Sequence, residues 1–124
     1  MKNLLVVFVF ITQIATAQDR IGWSYTQVTR DFAPNYMTYY TIDTSLFLTL
    51  DLPFADVLFE FNTDSICIMT TVYPKTDKDL KFLINQCNDT CIPISPTEWI
   101  ADCRGGLCKC ELIESRYLIW TVYN

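Results

Sequence analysis

Residues 76–91, TDKDLKFLINQCNDTC, predict an amphipathic helix. Thr76 and Asp79 have the spacing of a helix-capping box, with Asp in place of the usual Glu. Proline at position 93 disfavours helix in the residue before it, so we expect the helix to end there. The apolar residues of the stretch recur at helical spacing and form one stripe: Leu80, Leu83, Ile84, Cys87 and Cys91.

Residues 99–113, WIADCRGGLCKCELI, predict a β-hairpin on the C-terminal side of that helix. Gly105 and Gly106 lie in the expected turn, where positive φ angles are needed. Cys108 and Cys110 are two residues apart, so on a strand both side chains point to the same face. The hairpin therefore presents two cysteines on one face, as the helix does.

The chain has an even number of cysteines: Cys67, Cys87, Cys91, Cys103, Cys108 and Cys110. In an oxidising compartment an even count predicts three disulfides, and the absence of histidine disfavours a metal site. The helical i, i+4 spacing and the strand j, j+2 spacing match closely. We therefore expect two bridges between helix and hairpin, which leaves Cys67 to pair with Cys103.

The cysteine order between residues 67 and 110 resembles the cysteine-stabilised αβ framework of defensins and short scorpion toxins. The shared pattern is one cysteine, then Cys-x3-Cys, then one cysteine, then Cys-x-Cys. The family usually has glycine where this chain has Asp102, and its members are typically basic. The resemblance implies a first-to-fourth, second-to-fifth and third-to-sixth pairing, which here gives Cys67–Cys103, Cys87–Cys108 and Cys91–Cys110.

Residues 1–17 have the pattern of a secretory signal peptide. Lys2 supplies the positive charge, an apolar run follows, and Ala15-Thr16-Ala17 is the expected cleavage site. The apolar run is shorter than the roughly 20 residues that a membrane-spanning helix needs. The sequence therefore predicts a secreted, extracellular protein with no membrane span, whose mature chain begins at Gln18.

The rest of the chain has the period-two alternation of β-strands, which Leu46, Leu48, Leu50 and Leu52 show most clearly. With the hairpin, we expect seven or eight strands and one helix. The predicted fold class is a β-rich α+β domain over residues 18–124. It is one small antiparallel sheet or sandwich, with a single helix tied by disulfides to the C-terminal hairpin. The further strands are expected at residues 21–29, 37–42, 46–52, 57–61, 66–72 and 116–123.

Composition argues against several functions. With no histidine, the chain lacks Ser-His-Asp and Cys-His catalytic systems and His-ligated metal sites. With three glycines, it has no glycine-rich phosphate loop. The net charge is −5, and removal of Lys2 with the signal makes it −6, which disfavours nucleic acid. We therefore predict no enzymatic activity, no catalytic residue, no metal and no cofactor.

Aromatic residues make up 15% of the chain, and several of them flank polar positions. Tyrosine and tryptophan are enriched in binding hot spots, so a subset is a candidate binding patch. This composition favours a secreted binding protein whose partner is an extracellular protein or a small apolar ligand. The alternatives are a defensin- or toxin-like protein, or a small extracellular protease inhibitor or enzyme. The candidate patch comprises Trp23, Tyr25, Tyr39, Tyr40, Trp99 and Trp120.

Asn88-Asp89-Thr90 is an N-glycosylation sequon near the predicted helix end. The expected secretion and the exposed helix end favour attachment of a glycan. The neighbouring cysteines argue against it, because they crowd the position. Asn88 is therefore a predicted glycosylation site.

Overall fold

The computed structural model describes residues 20–30, 32, 37–104 and 106–123. Within these residues the chain forms eight strands and two helices. The predicted signal peptide and its cleavage site lie outside the described residues. The helices are α1 (Tyr25–Arg30) and α2 (Asp77–Thr90), and the strands are β1 (Met37–Ile42), β2 (Ser45–Asp51), β3 (Ala55–Phe61), β4 (Cys67–Pro74), β5 (Ile92–Ser95), β6 (Glu98–Cys103), β7 (Gly106–Ile113) and β8 (Tyr117–Val122).

All eight strands belong to one antiparallel sheet with the order β1-β2-β3-β4-β8-β7-β6-β5. Strands β1 to β4 form one meander and β5 to β8 form a second, because consecutive strands within each group pair directly. The two meanders join where β4 pairs with β8, for example at Thr70↔Trp120. Helix α2 connects the meanders, and β1 and β5 are the two edge strands.

One face of the sheet carries the hydrophobic core. Every second side chain of β3 is buried, from Ala55 to Phe61, as expected for a strand with one covered face. Leu83 and Cys87 of α2 pack over this face, and Val28 of α1 is fully buried. The sequence therefore predicted a β-rich fold correctly.

Helix α2 begins and ends where the sequence predicts. Thr76 is the N-cap: its hydroxyl accepts a hydrogen bond from the Asp79 N–H at 3.1 Å and donates to the Asp79 carboxylate at 2.8 Å. The Cys91 N–H donates to the Cys87 carbonyl at 2.9 Å, which closes the last turn before Pro93. The capping box and the apolar stripe are sufficient to explain this element.

The prediction of a single helix, and of a strand over residues 21–29, is wrong. Residues 25–30 form α1 instead, because Ser24 and Gln27 make a reciprocal capping box. The Ser24 N–H donates to Gln27 Oε1 at 3.0 Å, and the Gln27 N–H donates to Ser24 Oγ at 3.2 Å. These two bonds satisfy backbone donors at the helix start and outweigh the strand preference of Trp23 and Tyr25.

Strand β5 was also not predicted from the sequence. It is short and contains Pro93, a residue that in the sequence indicated only the end of the preceding helix. Ile92 pairs with Ile100, and Pro93 pairs with Trp99. Proline lacks a donor for the ladder, but an edge strand has one side without a neighbour, so it tolerates this loss.

Neither of the described helices is long and apolar enough to cross a membrane.

Candidate functional site

The structure contains a disulfide between Cys103 and Cys108, with 5.8 Å between the Cα atoms. The predicted pairs Cys67–Cys103 and Cys87–Cys108 are therefore not formed. In the sheet, β8 and β7 lie between β4, which carries Cys67, and β6, which carries Cys103. Three strand spacings amount to roughly 14 Å, twice the Cα separation that a disulfide allows.

The observed disulfide follows from the register of the hairpin. Cys103 pairs with Gly106, and Cys108 pairs with Ala101, so the two cysteines are diagonal neighbours on β6 and β7. Both side chains lie on the core face, because their positions have the same parity as the buried Trp99 and Cys110. Gly106 was expected in the turn, but it is the first residue of β7 and pairs with Cys103. The strands therefore stay paired close to the tip of the hairpin, which brings the two sulfur atoms together.

Three further cysteines lie together where the end of α2 meets β7. The Cys87 thiol interacts with the Cys110 thiol on the sheet and with the Cys91 thiol one helical turn away, and both interactions affect its pKa. Cys87 and Cys110 are buried, and Cys91 is half-buried. The contact with Cys110 is the main cause that raises the pKa of the Cys87 thiol to about 12. The helix cysteines therefore lie close to Cys110 on the strand, as predicted. The predicted set of three disulfides is not formed.

Cys67 lies at the start of β4 and is buried. Its Sγ is 3.8 Å from Thr70 Oγ1 and 3.6 Å from the Met69 carbonyl oxygen. Burial raises the pKa of the Cys67 thiol to about 11, because the thiolate would lose its hydration.

The buried Cys67 thiol predicts a loss of stability at high pH. The pKa is about 11 in the folded chain and near 9 in the unfolded chain. The stability of the folded chain relative to the unfolded chain is therefore greatest below pH 9, where the thiol is neutral in both, and it falls as the pH rises to 11. We expect the free energy of unfolding to fall about 2 kcal/mol further over this range in the wild type than in Cys67→Ala. Denaturant titrations at both pH values measure the difference, and equal pH slopes in the two proteins would contradict it.

The six aromatic residues predicted as a binding patch do not form one surface. Trp99 is 1% exposed and Trp120 is 4% exposed, so both belong to the core. Both lie on the covered face of the sheet, on strands that flank β7. Only Tyr39 and Tyr40, on β1, are well exposed, at 69% and 40%.

Trp23 and Tyr25 lie at the N-terminal end of α1, whose first residue is Tyr25. The Arg104 guanidinium lies 4.2 Å from the centre of the Trp23 ring, and that of Arg20 lies 4.9 Å from it. Arg104 also donates to Gln27 Oε1 at 3.0 Å, so the disulfide-bonded hairpin is tied to α1. Tyr25 packs edge-on against the buried Phe61 ring. Both aromatic residues therefore have intramolecular packing partners.

Asn88 is exposed near the end of α2, where the sequon predicted it. Its Oδ1 accepts a hydrogen bond from the buried Trp99 Nε1–H at 2.8 Å. Thr90 of the same sequon donates its hydroxyl hydrogen to the Gln86 carbonyl at 2.7 Å. Glycan attachment uses the Asn88 nitrogen, so the oxygen that binds Trp99 stays available.

Strand β1 is the exposed aromatic element of the fold. Its sequence, MTYYTI, contains neither a charged residue nor proline. On the side away from β2, none of the residues that the structure describes pairs with it. The Tyr40 ring stacks on Phe47 of β2 with 5.2 Å between centroids. Natural edge strands usually carry charges, prolines or bulges that prevent further pairing, so β1 is unusual.

The hairpin geometry shows which backbone groups of β1 face outward. Residues 43 and 44 form a two-residue turn closed by Ile42 and Ser45, and the closing pair of such a turn exchanges backbone hydrogen bonds. The pattern alternates along the strand, and the Thr38 carbonyl accordingly also accepts from Thr49 Oγ1 at 3.1 Å. The N–H and C=O groups of Met37, Tyr39 and Thr41 therefore point to the open edge.

An open cleft of about 440 Å³ lies where the turn between β7 and β8 approaches the start of α2. Its walls include the packed rings of Tyr73 and Tyr117 and groups of both charges. Lys75 on its rim forms ion pairs with Asp51 and Asp56, and its hydrogen bond to Asp51 lowers the pKa of that carboxyl. The cleft is thus a polar surface with balanced charge.

Comparisons with protein-family models, with curated proteins and with solved structures found no match to this chain, so its function must be argued from its own residues.

Proposed function

We propose that the mature chain is a secreted, non-enzymatic interaction protein that binds an extended protein segment along the open edge of β1. The observation that carries this proposal is the six-residue uncharged edge strand, with three outward-facing backbone pairs and exposed tyrosines. A segment that adds to such an edge becomes a ninth strand of the sheet.

Backbone and side chains of β1 have separate roles in this binding. The outward N–H and C=O groups of residues 37, 39 and 41 supply hydrogen bonds to any extended chain. Tyr39 on one face, and Tyr40 with its stacked Phe47 on the other, select the side chains of that segment. Aromatic and β-branched residues pair well with tyrosine across strands. The net charge of −5 disfavours an acidic partner.

A small apolar ligand is the less favoured partner. The cleft beside α2 is lined by charged groups such as Asp77, Glu114 and Arg116, and an apolar ligand would have to displace water from them. The β1 edge instead offers unpaired backbone groups to another chain.

The substitution Thr41→Pro tests the proposal, because proline removes one outward N–H and leaves the β1–β2 hydrogen bonds in place. The probe is a synthetic seven-residue peptide selected from a displayed library against the purified mature chain. We expect Thr41→Pro to weaken its binding at least about tenfold, and the matched variant Thr41→Ala to change it less than about threefold. Calorimetric titration measures both.

Two further measurements complete this test. Circular dichroism and the midpoint of thermal unfolding show whether Thr41→Pro retains the fold, as edge strands tolerate proline. Amide exchange of Tyr39 and Thr41 should slow when the peptide binds. Equal peptide affinity in the proline and alanine variants, or a library that yields no peptide protecting these amides, contradicts the proposal.

A further inference from the structure

Cys110 lies on the core face of β7 between two tryptophans. It pairs with Trp99 on β6 on one side and with Trp120 on β8 on the other. Adjacent strands are about 4.8 Å apart, so the two indole rings flank the Cys110 side chain. Cys110 is completely buried, which means that another part of the chain covers the space above it.

The last turns of α2 supply that cover. Asn88 accepts the hydrogen bond of the Trp99 indole at 2.8 Å, which fixes the helix over the β6 side of Cys110. Cys87 and Trp120 line the same narrow crevice between helix and sheet, which fixes the helix over the β8 side. Two consecutive helix residues, Cys87 and Asn88, therefore lie against the strands on both sides of Cys110, which places Cys87 close to it.

We propose that Cys87 and Cys110 form a disulfide in the secreted protein and thereby join α2 covalently to the sheet. Both side chains are buried in the same hydrophobic core, and the helix end that carries Cys87 lies against the strands on both sides of Cys110. The bond is compatible with the observed Cys103–Cys108 disulfide, since the two share no sulfur. It replaces two of the pairs expected from sequence, Cys87–Cys108 and Cys91–Cys110.

The reaction is a thiol–disulfide exchange with a disulfide oxidant, such as oxidised glutathione, of the secretory compartment. The two thiols lose two protons and two electrons, one S–S bond forms, and the S–S bond of the oxidant is reduced to two thiols. Because the reduced thiols are buried, exchange is fastest before α2 has docked on the sheet. The bond should therefore form during folding.

Peptide mapping of the non-reduced protein, purified from the medium of secreting cells, tests this pairing. Trypsin and a protease that cleaves before aspartate together place each cysteine in a separate peptide, because cleavage sites lie between all consecutive cysteines. Among the last five cysteines these sites are Asp89, Asp102, Arg104 and Lys109. We expect peptide 82–88 linked to 110–116, and 102–104 linked to 105–109, with masses matched both with and without a glycan on Asn88. A link from 89–101 or from 64–75 to 110–116 would overturn the proposal.

Alkylation of the denatured, non-reduced protein provides the control. We expect iodoacetamide to leave Cys110 unlabelled in the wild type, in Cys67→Ser and in Cys91→Ser, and to label it fully in Cys87→Ser. Cys67→Ser is the matched variant, since it also removes a buried thiol. Labelling of Cys110 in the wild type would contradict the pairing even if Cys87→Ser failed to fold.

Discussion

Replacing Trp99 with alanine is expected to lower the free energy of unfolding by about 3–5 kcal/mol. The side chain is 1% exposed, is among the largest fully buried ones, and belongs to the second residue of β6. Its removal leaves a cavity beneath α2 and deprives Asn88 of its hydrogen-bond partner. Urea titration monitored by circular dichroism measures the effect.

Two companion variants separate packing from hydrogen bonding at Trp99. Trp99→Phe keeps most of the buried ring and loses the N–H donor, so we expect a cost of about 1–2 kcal/mol. Asn88→Ala in the Trp99→Phe background should add little, because the bond between the two residues is already absent. A loss below 1 kcal/mol for Trp99→Ala would show that this indole is not part of the core.

Replacing Phe59 with alanine is expected to cost about 3–5 kcal/mol as well, at a different place in the core. Phe59 is buried at the centre of β3, where it pairs with Leu48 and Thr70. Its ring also lies 6.0 Å from that of Phe32, in the segment that follows α1. The substitution should therefore weaken both the first meander and the packing of the N-terminal segment.

The conservative variant Phe59→Leu is the control for this prediction. It keeps an apolar side chain of similar size, so we expect a loss below about 1.5 kcal/mol. Proteolysis of Phe59→Ala under native conditions should cut near Arg30 faster than in the wild type, because the contact with Phe32 is lost. Phe59→Leu also loses the ring but keeps an apolar side chain against Phe32, so its cleavage rate should lie between the other two. Equal cleavage rates in all three proteins would be inconsistent with the contact.

Local signals made much of this fold predictable. Helix α2 follows from a cap at Thr76 and an apolar stripe, both contained within sixteen residues. Strands β2 and β3 follow from their strict alternation. Helix α1 carried a similar capping signal at Ser24 and Gln27, but the segment is short, and Trp23 and Tyr25 at its start favoured a strand instead.

The order of the strands is the part that local signals do not contain. The spacing of the cysteines does not reveal that β8 and β7 separate β4 from β6. That separation is the reason why Cys67 and Cys103 do not pair, and why their expected bridge was wrong. The same holds for Trp99 and Trp120: composition marks them as candidate contacts, and only the register assigns both to the core face.

The pairing of β4 with β8 has a consequence for folding kinetics. Every other neighbouring pair in the sheet joins consecutive strands, whereas Met69 pairs with Thr121 across more than fifty residues of chain. Closing so long a loop costs more entropy than closing a hairpin, so this step is expected to come late. During synthesis the second edge of β4 stays unpaired until the ribosome has released β8. Until then the first meander has two open edges, and this is the period in which the nascent chain is most exposed to aggregation.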